Sequence, residues 1–129
     1  MPPKKILLVD DNILVRQLVR MHLEAPPEFA VCDEASDGVE AIEIAEKSKP
    51  DLIVLDLSMP RMNGLEAAAA LKLVVPSAPI ILFTSYQDAV RNLEIGAMGI
   101  SAVISKSSSI QVLLNEIQRL APSARAASA

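Results

Sequence analysis

Short apolar runs alternate with longer stretches in which apolar residues recur at helical spacing, and the alternation repeats five times along the chain. Ile6-Leu7-Leu8-Val9 is the first run, closed by Asp10-Asp11-Asn12; Val15, Leu18, Val19 and Leu23 then mark a helix that Pro26-Pro27 stops. His22 falls on that apolar stripe and is assigned a packed or half-buried place with no chemical role. Phe29 to Glu34 reads as a second strand. Asp37 with Glu40 three residues on predicts a capping box for a helix that carries Val39, Ile42, Ile44 and Ala45 and ends near Pro50. Leu52 to Leu55 is a third strand, ended by Asp56, and Met59-Pro60 prevents regular structure just beyond it. Gly64 to Val75 predicts an alanine-rich helix stopped by Pro76 and Pro79. Ile80 to Phe83 is the fourth strand, with Thr84 at its end and Ser85 or Asp88 to cap a helix over Gln87 to Ile95 that Gly96 terminates. A short fifth strand, Ala102 to Ile104, delivers Ser105 and Lys106. Ser108 with Gln111 predicts a cap for a last helix whose apolar face is Ile110, Leu113, Leu114, Ile117 and Leu120.

Strands that are apolar at every position, rather than at every second one, are covered on both faces, as in parallel sheets. Right-handed crossovers through five helices then predict an α/β fold with a doubly wound five-stranded parallel sheet, order 2-1-3-4-5, and a switch point between strands one and three. Residues 1–120 form one domain in this reading. The Ala- and Ser-rich residues 121–129 carry no core pattern and read as a disordered tail or linker remnant.

Composition narrows what such a fold does here. Aromatic residues are only 2% of the chain, so the core is aliphatic and recognition by base stacking is disfavoured. A net charge of -4 argues against direct nucleic-acid binding. Cys32 is the sole cysteine, which excludes a disulfide framework and a thiolate metal site and leaves it as a small core residue. The apolar run after the basic Met1 to Lys5 stretch is too short for a signal peptide, and Glu66, Lys72, Pro76 and Pro79 interrupt Leu65 to Phe83 too often for a membrane span. A cytoplasmic location is expected.

In the predicted strand order, Asp10, Asp11, Asp56, Thr84 and Lys106 converge on one crevice at the carboxyl ends of the strands. Carboxylates crowded there repel one another or recruit a hard cation, and an all-oxygen site suits Mg²⁺. Lys106 and the Thr84 hydroxyl supply a point charge and a donor, suited to phosphoryl oxygens.

On these residues the chain resembles a response-regulator receiver domain of two-component signalling, over about residues 4 to 120. The matching pieces are Asp10-Asp11 after strand one, the Asp56 segment running into Met59-Pro60 and Asn63-Gly64, Thr84 after strand four and Lys106 after strand five. The resemblance implies the flavodoxin-like receiver fold. It implies that Asp56 accepts phosphate from a phosphohistidine on a sensor histidine kinase or histidine phosphotransfer protein, and that the product alters binding to a downstream output protein or domain. It further implies that Asp11, Asp56 and the backbone carbonyl of Ser58 bind Mg²⁺, with Asp10 acting through a water, and that Thr84 and Lys106 bind the phosphoryl group.

Three features depart from the family pattern. Val103 stands three residues before Lys106, where the family usually has Tyr or Phe. Ser107 follows the lysine where Pro is frequent, as in receivers of one large group of DNA-binding regulators, and no output domain is expected after Leu120. Among alternatives, an aspartyl-phosphate phosphatase would carry a second Asp at Ser58. A nucleotide- or flavin-binding protein would have a Gly-rich turn in place of Asp10-Asp11. A receiver-fold interaction module that is not phosphorylated stays open beside the signalling reading.

Overall fold

The apolar runs become strands, in a computed structural model that describes residues 3–24 and 29–121. The expectations placed on Pro26-Pro27, on residues 122–129 and on the Cys32 side chain fall outside the described residues. The element order is β1 (Lys4–Val9), α1 (Ile13–Glu24), β2 (Phe29–Ala35), α2 (Gly38–Ser48), β3 (Leu52–Leu55), α3 (Gly64–Val74), β4 (Ile80–Thr84), a 3₁₀ turn (Gln87–Val90), β5 (Ala102–Ser105) and α4 (Ile110–Leu120). All neighbouring strands are parallel, in the expected order β2-β1-β3-β4-β5.

Side chains two apart along a strand share a face, and here both faces are buried. Ile6, Leu8, Leu52, Val54, Ile81 and Phe83 pack with Val19 and Leu23 of α1 and with Leu113 and Ile117 of α4. On the other face Leu7, Val9, Ile53, Leu55, Ile80 and Leu82 meet α2 and α3, whose Ala41, Ala45, Ala67 and Ala68 let the helix backbones lie close to the sheet. Each large aliphatic side chain buried this way contributes about 1.5–3 kcal/mol relative to exposure. The sheet is therefore covered by two helices on each face, and the strand ends are rigidly placed.

The helices differ from the expected five. Among the described residues there are four α-helices, because Gln87 to Ile95 forms only the 3₁₀ turn Gln87–Val90 followed by irregular turns. Tyr86 precedes that turn without a side-chain cap, and Asp88 pairs with Arg91 instead of closing the helix start. The Asp37 cap is present, its carboxylate accepting from the Glu40 N–H at 2.9 Å, but Glu40 accepts from the Ser36 hydroxyl rather than returning to Asp37. A complete capping box forms instead at Asn63 and Glu66, at the head of α3. The expected Ser108–Gln111 box is absent: Ser109 is the N-cap of α4, without a side-chain hydrogen bond, and Gln111 donates to Asn115 at 2.9 Å. Ala121, past the end of α4, is buried, and its N–H donates to the Ile117 carbonyl at 2.8 Å. His22 is half-buried, with ring Nδ1 2.9 Å from the Leu18 carbonyl. No described helix is long and apolar enough to cross a membrane.

Candidate functional site

Each strand that ends at the crevice hands its next residue to the neighbouring strand. The Asp10 N–H donates to Ala35 O at 3.0 Å, Asp56 N–H to Val9 O at 2.9 Å and Lys106 N–H to Thr84 O at 2.9 Å. The sheet's hydrogen bonding thus extends one residue beyond the apolar runs, and three of the polar side chains inherit the rigidity of the core. Gly64 closes the loop that follows Asp56. A Cβ there would lie 2.3 Å from the Asp56 carbonyl oxygen and 2.8 Å from Leu57 Cα, so only glycine fits against this backbone.

Asp10 and Asp56 are each only 5% exposed, whereas Asp11 faces solvent. Carboxylate oxygens of the three lie within 4.8 Å of one another. Lys106 Nζ sits between the two buried ones, 2.7 Å from Asp10 Oδ2 and 3.4 Å from Asp56 Oδ2. The other oxygen of Asp10 accepts from the Asn12 N–H, and that of Asp56 accepts from the Leu57 N–H at 2.8 Å. Burial pushes the Asp56 carboxyl above its ordinary range, the Asp10 charge adds to the rise, and Lys106 only partly offsets both. Burial also opposes the charge on Lys106, but its hydrogen bond and attraction to Asp10, then Asp56, outweigh that and hold its pKa up.

Thr84 is fully buried at the end of β4, its hydroxyl oxygen accepting from the Tyr86 N–H at 3.0 Å. Tyr86 is 59% exposed and lines an open groove of about 340 Å³ with Leu57, Ser58, Asn63 and Ala89, beside the Asp56 loop. Val103 pairs with Leu82 in the sheet register and lines a second groove of about 370 Å³ with Val90, Leu93 and Ile95.

The structure therefore brings Asp10, Asp11, Asp56 and Lys106 together and sets Thr84 and Ser58 on the adjoining strand end and loop. Three carboxylates at this spacing form a hard oxygen donor set of the kind that fits a small divalent cation. Sequence reasoning missed Arg16 and Glu34. Arg16 Nε donates to Glu34 Oε1 at 2.8 Å, and its Nη1 donates to the Asp10 backbone carbonyl. The available signal was a cation at the head of the Arg16, Val19, Leu23 stripe, a face otherwise buried. Arg61 was also missed; its guanidinium pairs at 2.7 Å with buried Asp37, whose carboxyl the Glu40 N–H and Arg61 together hold below its ordinary range against the effect of burial.

A five-stranded doubly wound sheet with an acidic pair after β1, an aspartate after β3, a threonine ending β4 and a lysine after β5 defines a receiver-type architecture. The chain belongs to the response regulator receiver domain family, which matches residues 6–118. It is 37% identical over 118 residues to a protein-glutamate methylesterase/protein-glutamine glutaminase of Pyrococcus horikoshii, covering 88% of this chain and 32% of that protein. It is 42% identical over 100 residues to the nitrate/nitrite response regulator protein NarL of Escherichia coli K12, covering 75% of this chain and 46% of NarL. The chain thus spans less than half the length of these curated relatives. Among solved structures, a LuxR-family two-component response regulator from Aurantimonas sp. SI85-9A1 superposes with a TM-score of 0.84 at 33% identity, over 98% of this chain and 94% of that one. The response regulator TrrA of Thermotoga maritima, solved in complex with Mg²⁺ and BeF, gives a TM-score of 0.80 at 30% identity, over 91% and 98% of the two chains.

Proposed function

We propose that this receiver accepts a phosphoryl group on Asp56 from a phosphohistidine of a sensor histidine kinase or histidine phosphotransfer protein, and that the product changes binding to a downstream output protein or domain. The observation that carries the reading is the placement of Asp56: a carboxylate fixed at the carboxyl end of a buried strand, 3.4 Å from Lys106 and within 4.8 Å of the Asp10 and Asp11 oxygens. A carboxylate oxygen of Asp56 bonds to phosphorus as the P–N bond breaks, and the imidazole leaves with the electron pair. Lys106 neutralises charge on the phosphoryl oxygens. Thr84, whose hydroxyl oxygen accepts from the Tyr86 N–H, keeps its own proton to donate to one of them.

Mg²⁺, when bound, supplies the remaining charge neutralisation of phosphoryl transfer. In this proposal Asp11, Asp56 and the backbone carbonyl of Ser58 hold it, and Asp10 acts on it through a water. The Mg²⁺–BeF complex of the similar TrrA supports the choice of ion. The domain assists its own phosphorylation and dephosphorylation without being a turnover enzyme, since Ser58 stands where an aspartyl-phosphate phosphatase would carry a second acid/base Asp. The reading places it in the cytoplasm, where its partners act, with no direct contact to nucleic acid or membrane.

The kinase or phosphotransfer protein docks, in this reading, beside the crevice at the head of α1. Ile13 and Leu14 are 55% and 69% exposed there, and Leu18 and Met21 continue the apolar stripe along the helix. Met59, on the neighbouring loop, is half-buried against the core and contributes less. The test of the function is intact-mass measurement after incubation with acetyl phosphate and Mg²⁺. Wild type gains one base-labile phosphoryl group and Asp56→Asn gains none; equal labelling of both overturns the assignment and favours an interaction module that is not phosphorylated.

A further inference from the structure

The turn that carries the acidic pair is restrained at three points. The Asp10 N–H donates to Ala35 O at 3.0 Å, an Asp10 carboxylate oxygen accepts from the Asn12 N–H at 2.9 Å, and the Asp10 carbonyl accepts from Arg16 Nη1. The first two are made by main-chain donors. The third is a side chain reaching back from the first turn of α1, and it fixes the peptide plane between Asp10 and Asp11, which sets the direction in which the exposed Asp11 carboxylate points.

Arg16 is itself held. Its Nε donates to Glu34 Oε1 at 2.8 Å, and the other Glu34 oxygen accepts from Arg20 Nε at 2.8 Å. Both Glu34 oxygens are thus engaged by guanidinium groups on successive turns of α1. The Arg16 side chain is only 14% exposed. With Asp10 and Asp56 it lines a cavity of about 10 Å³, room for one water at most. A guanidinium so enclosed has no need to sit near a cation site for solubility, and its charge alone works against binding a cation beside it.

We propose that Arg16, locked by Glu34, is a positioning residue for the divalent-cation site: it orients the Asp10–Asp11 turn so that the carboxylates present ligand geometry. The proposal rests on the reading of Asp10, Asp11 and Asp56 as a Mg²⁺ site. Positioning and electrostatics predict opposite signs. If Arg16 acts through its charge, removing it tightens Mg²⁺ binding; if it acts through the Asp10 carbonyl, removing it loosens the turn and weakens binding. Loss of a hydrogen bond behind a metal ligand typically lowers affinity about 10-fold or more.

The experiment is calorimetric titration of Mg²⁺ into wild type, Arg16→Met, Arg16→Lys, Glu34→Gln and Arg20→Met, with thermal melting of each in EDTA. The expected result is a Kd raised about tenfold in Arg16→Met, with smaller rises in Arg16→Lys, whose single ammonium cannot serve Glu34 and the carbonyl at once, and in Glu34→Gln. Arg20→Met, which breaks the other half of the Glu34 clamp without touching Asp10, lowers the melting temperature but leaves Kd unchanged, separating positioning from stability. A Kd in Arg16→Met equal to or below that of wild type overturns the proposal. Should Arg16→Met not fold, a raised Kd in Arg16→Lys or Glu34→Gln supports the role and an unchanged Kd in both overturns it. Wild type that binds no Mg²⁺ overturns the cation-site reading itself, and this inference with it.

Discussion

Lys106 lies nearer to Asp10 than to Asp56, at 2.7 Å against 3.4 Å, so its ammonium serves first as the counter-charge of the acidic turn and second as a partner of the carboxylate that would be modified. Removing one member of a largely buried charge cluster leaves the others uncompensated. Lys106→Met is expected to lower stability in EDTA by roughly 3–5 kcal/mol and to gain more melting temperature from Mg²⁺ than wild type does, because the cation then supplies the neutralisation that the lysine gave. Scanning calorimetry of both proteins with and without Mg²⁺ checks this; an equal Mg²⁺ response would show that the lysine does not neutralise the site.

Asp56 and Asp37 drive stability in opposite directions with pH. The folded state raises the Asp56 pKa, chiefly by burial and then by Asp10, so it binds that proton more tightly than the unfolded chain and loses stability as pH rises from 3.8 through the raised value. The folded state lowers the Asp37 pKa, chiefly through the Glu40 N–H, so Asp37 stabilises above 3.8 and that contribution disappears as pH falls through its lowered value. Asp56→Asn should therefore melt a few degrees above wild type at neutral pH in EDTA, and the gap should close in acid. A gap that persists with Asp56 protonated would mean that amide packing, not charge, is responsible.

Gly64→Ala tests the packing that holds the Asp56 loop. The added methyl meets main-chain atoms of Asp56 and Leu57, which cannot swing aside. A loss of roughly 2–3 kcal/mol in urea unfolding is expected, together with impaired phosphorylation by acetyl phosphate. Gly96→Ala, where a Cβ meets nothing within 4 Å, is the control and should leave phosphorylation unchanged.

Leu14→Glu separates docking from chemistry. This side chain is 69% exposed and makes no contribution to the buried core, so the fold should tolerate a charge there. Transfer from the cognate phosphohistidine protein should slow at least severalfold while acetyl phosphate labelling stays at the wild-type rate. Slowing of both to the same degree would place the effect in the site itself.

Tyr86 lines the groove beside the Asp56 loop and hydrogen-bonds to Thr84 only through its main chain. A shielding ring predicts that Tyr86→Ala speeds loss of phosphate and leaves partner affinity unchanged. Weakened partner binding at an unchanged dephosphorylation rate would instead make the ring part of the switch. Timed intact-mass measurement and a binding isotherm on the same preparation distinguish the two.

Strand positions and strand-end residues were legible because burial on both faces writes an unbroken apolar run into the sequence, and the residue that ends each run stands at the crevice. Gln87 to Ile95 was misread for the same reason in reverse. Ser85 or Asp88 as a cap and Gly96 as a stop pointed to a helix, but Tyr86 stands at the cap position with no side-chain bond, Asp88 and Asn92 favour turns, and Val90 is the one fully buried residue of the segment. Arg16 heads the Val19, Leu23 stripe, but its partners, a backbone carbonyl six residues back and a carboxylate on β2, leave no trace in the sequence pattern. The Asn63 capping box was readable from Asn63 and Glu66 and was overlooked beside the Met59-Pro60 loop.

The irregular segment between β4 and β5 sets where this domain is softest. From Leu93 to Gly99 the backbone hydrogen bonds are local turn bonds, such as Ala97 N–H to Glu94 O and Gly99 N–H to Gly96 O; Ile95 and Met98 rest part-buried against the core, and backbone pairing with the sheet resumes at Ser101, whose N–H donates to Ile80 O. Opening this stretch breaks no sheet hydrogen bonds and fewer buried contacts than opening β1 or β3, so its amides should exchange with deuterium by local opening before those of either strand. The 3₁₀ turn Gln87–Val90 separates it from Thr84, and it runs into the edge strand that carries Val103. If the Thr84 hydroxyl binds a phosphoryl group, as proposed above, faster or slower deuterium exchange along this stretch in the phosphorylated protein would mark a route to the surface that requires no large side chain to turn over at position 103.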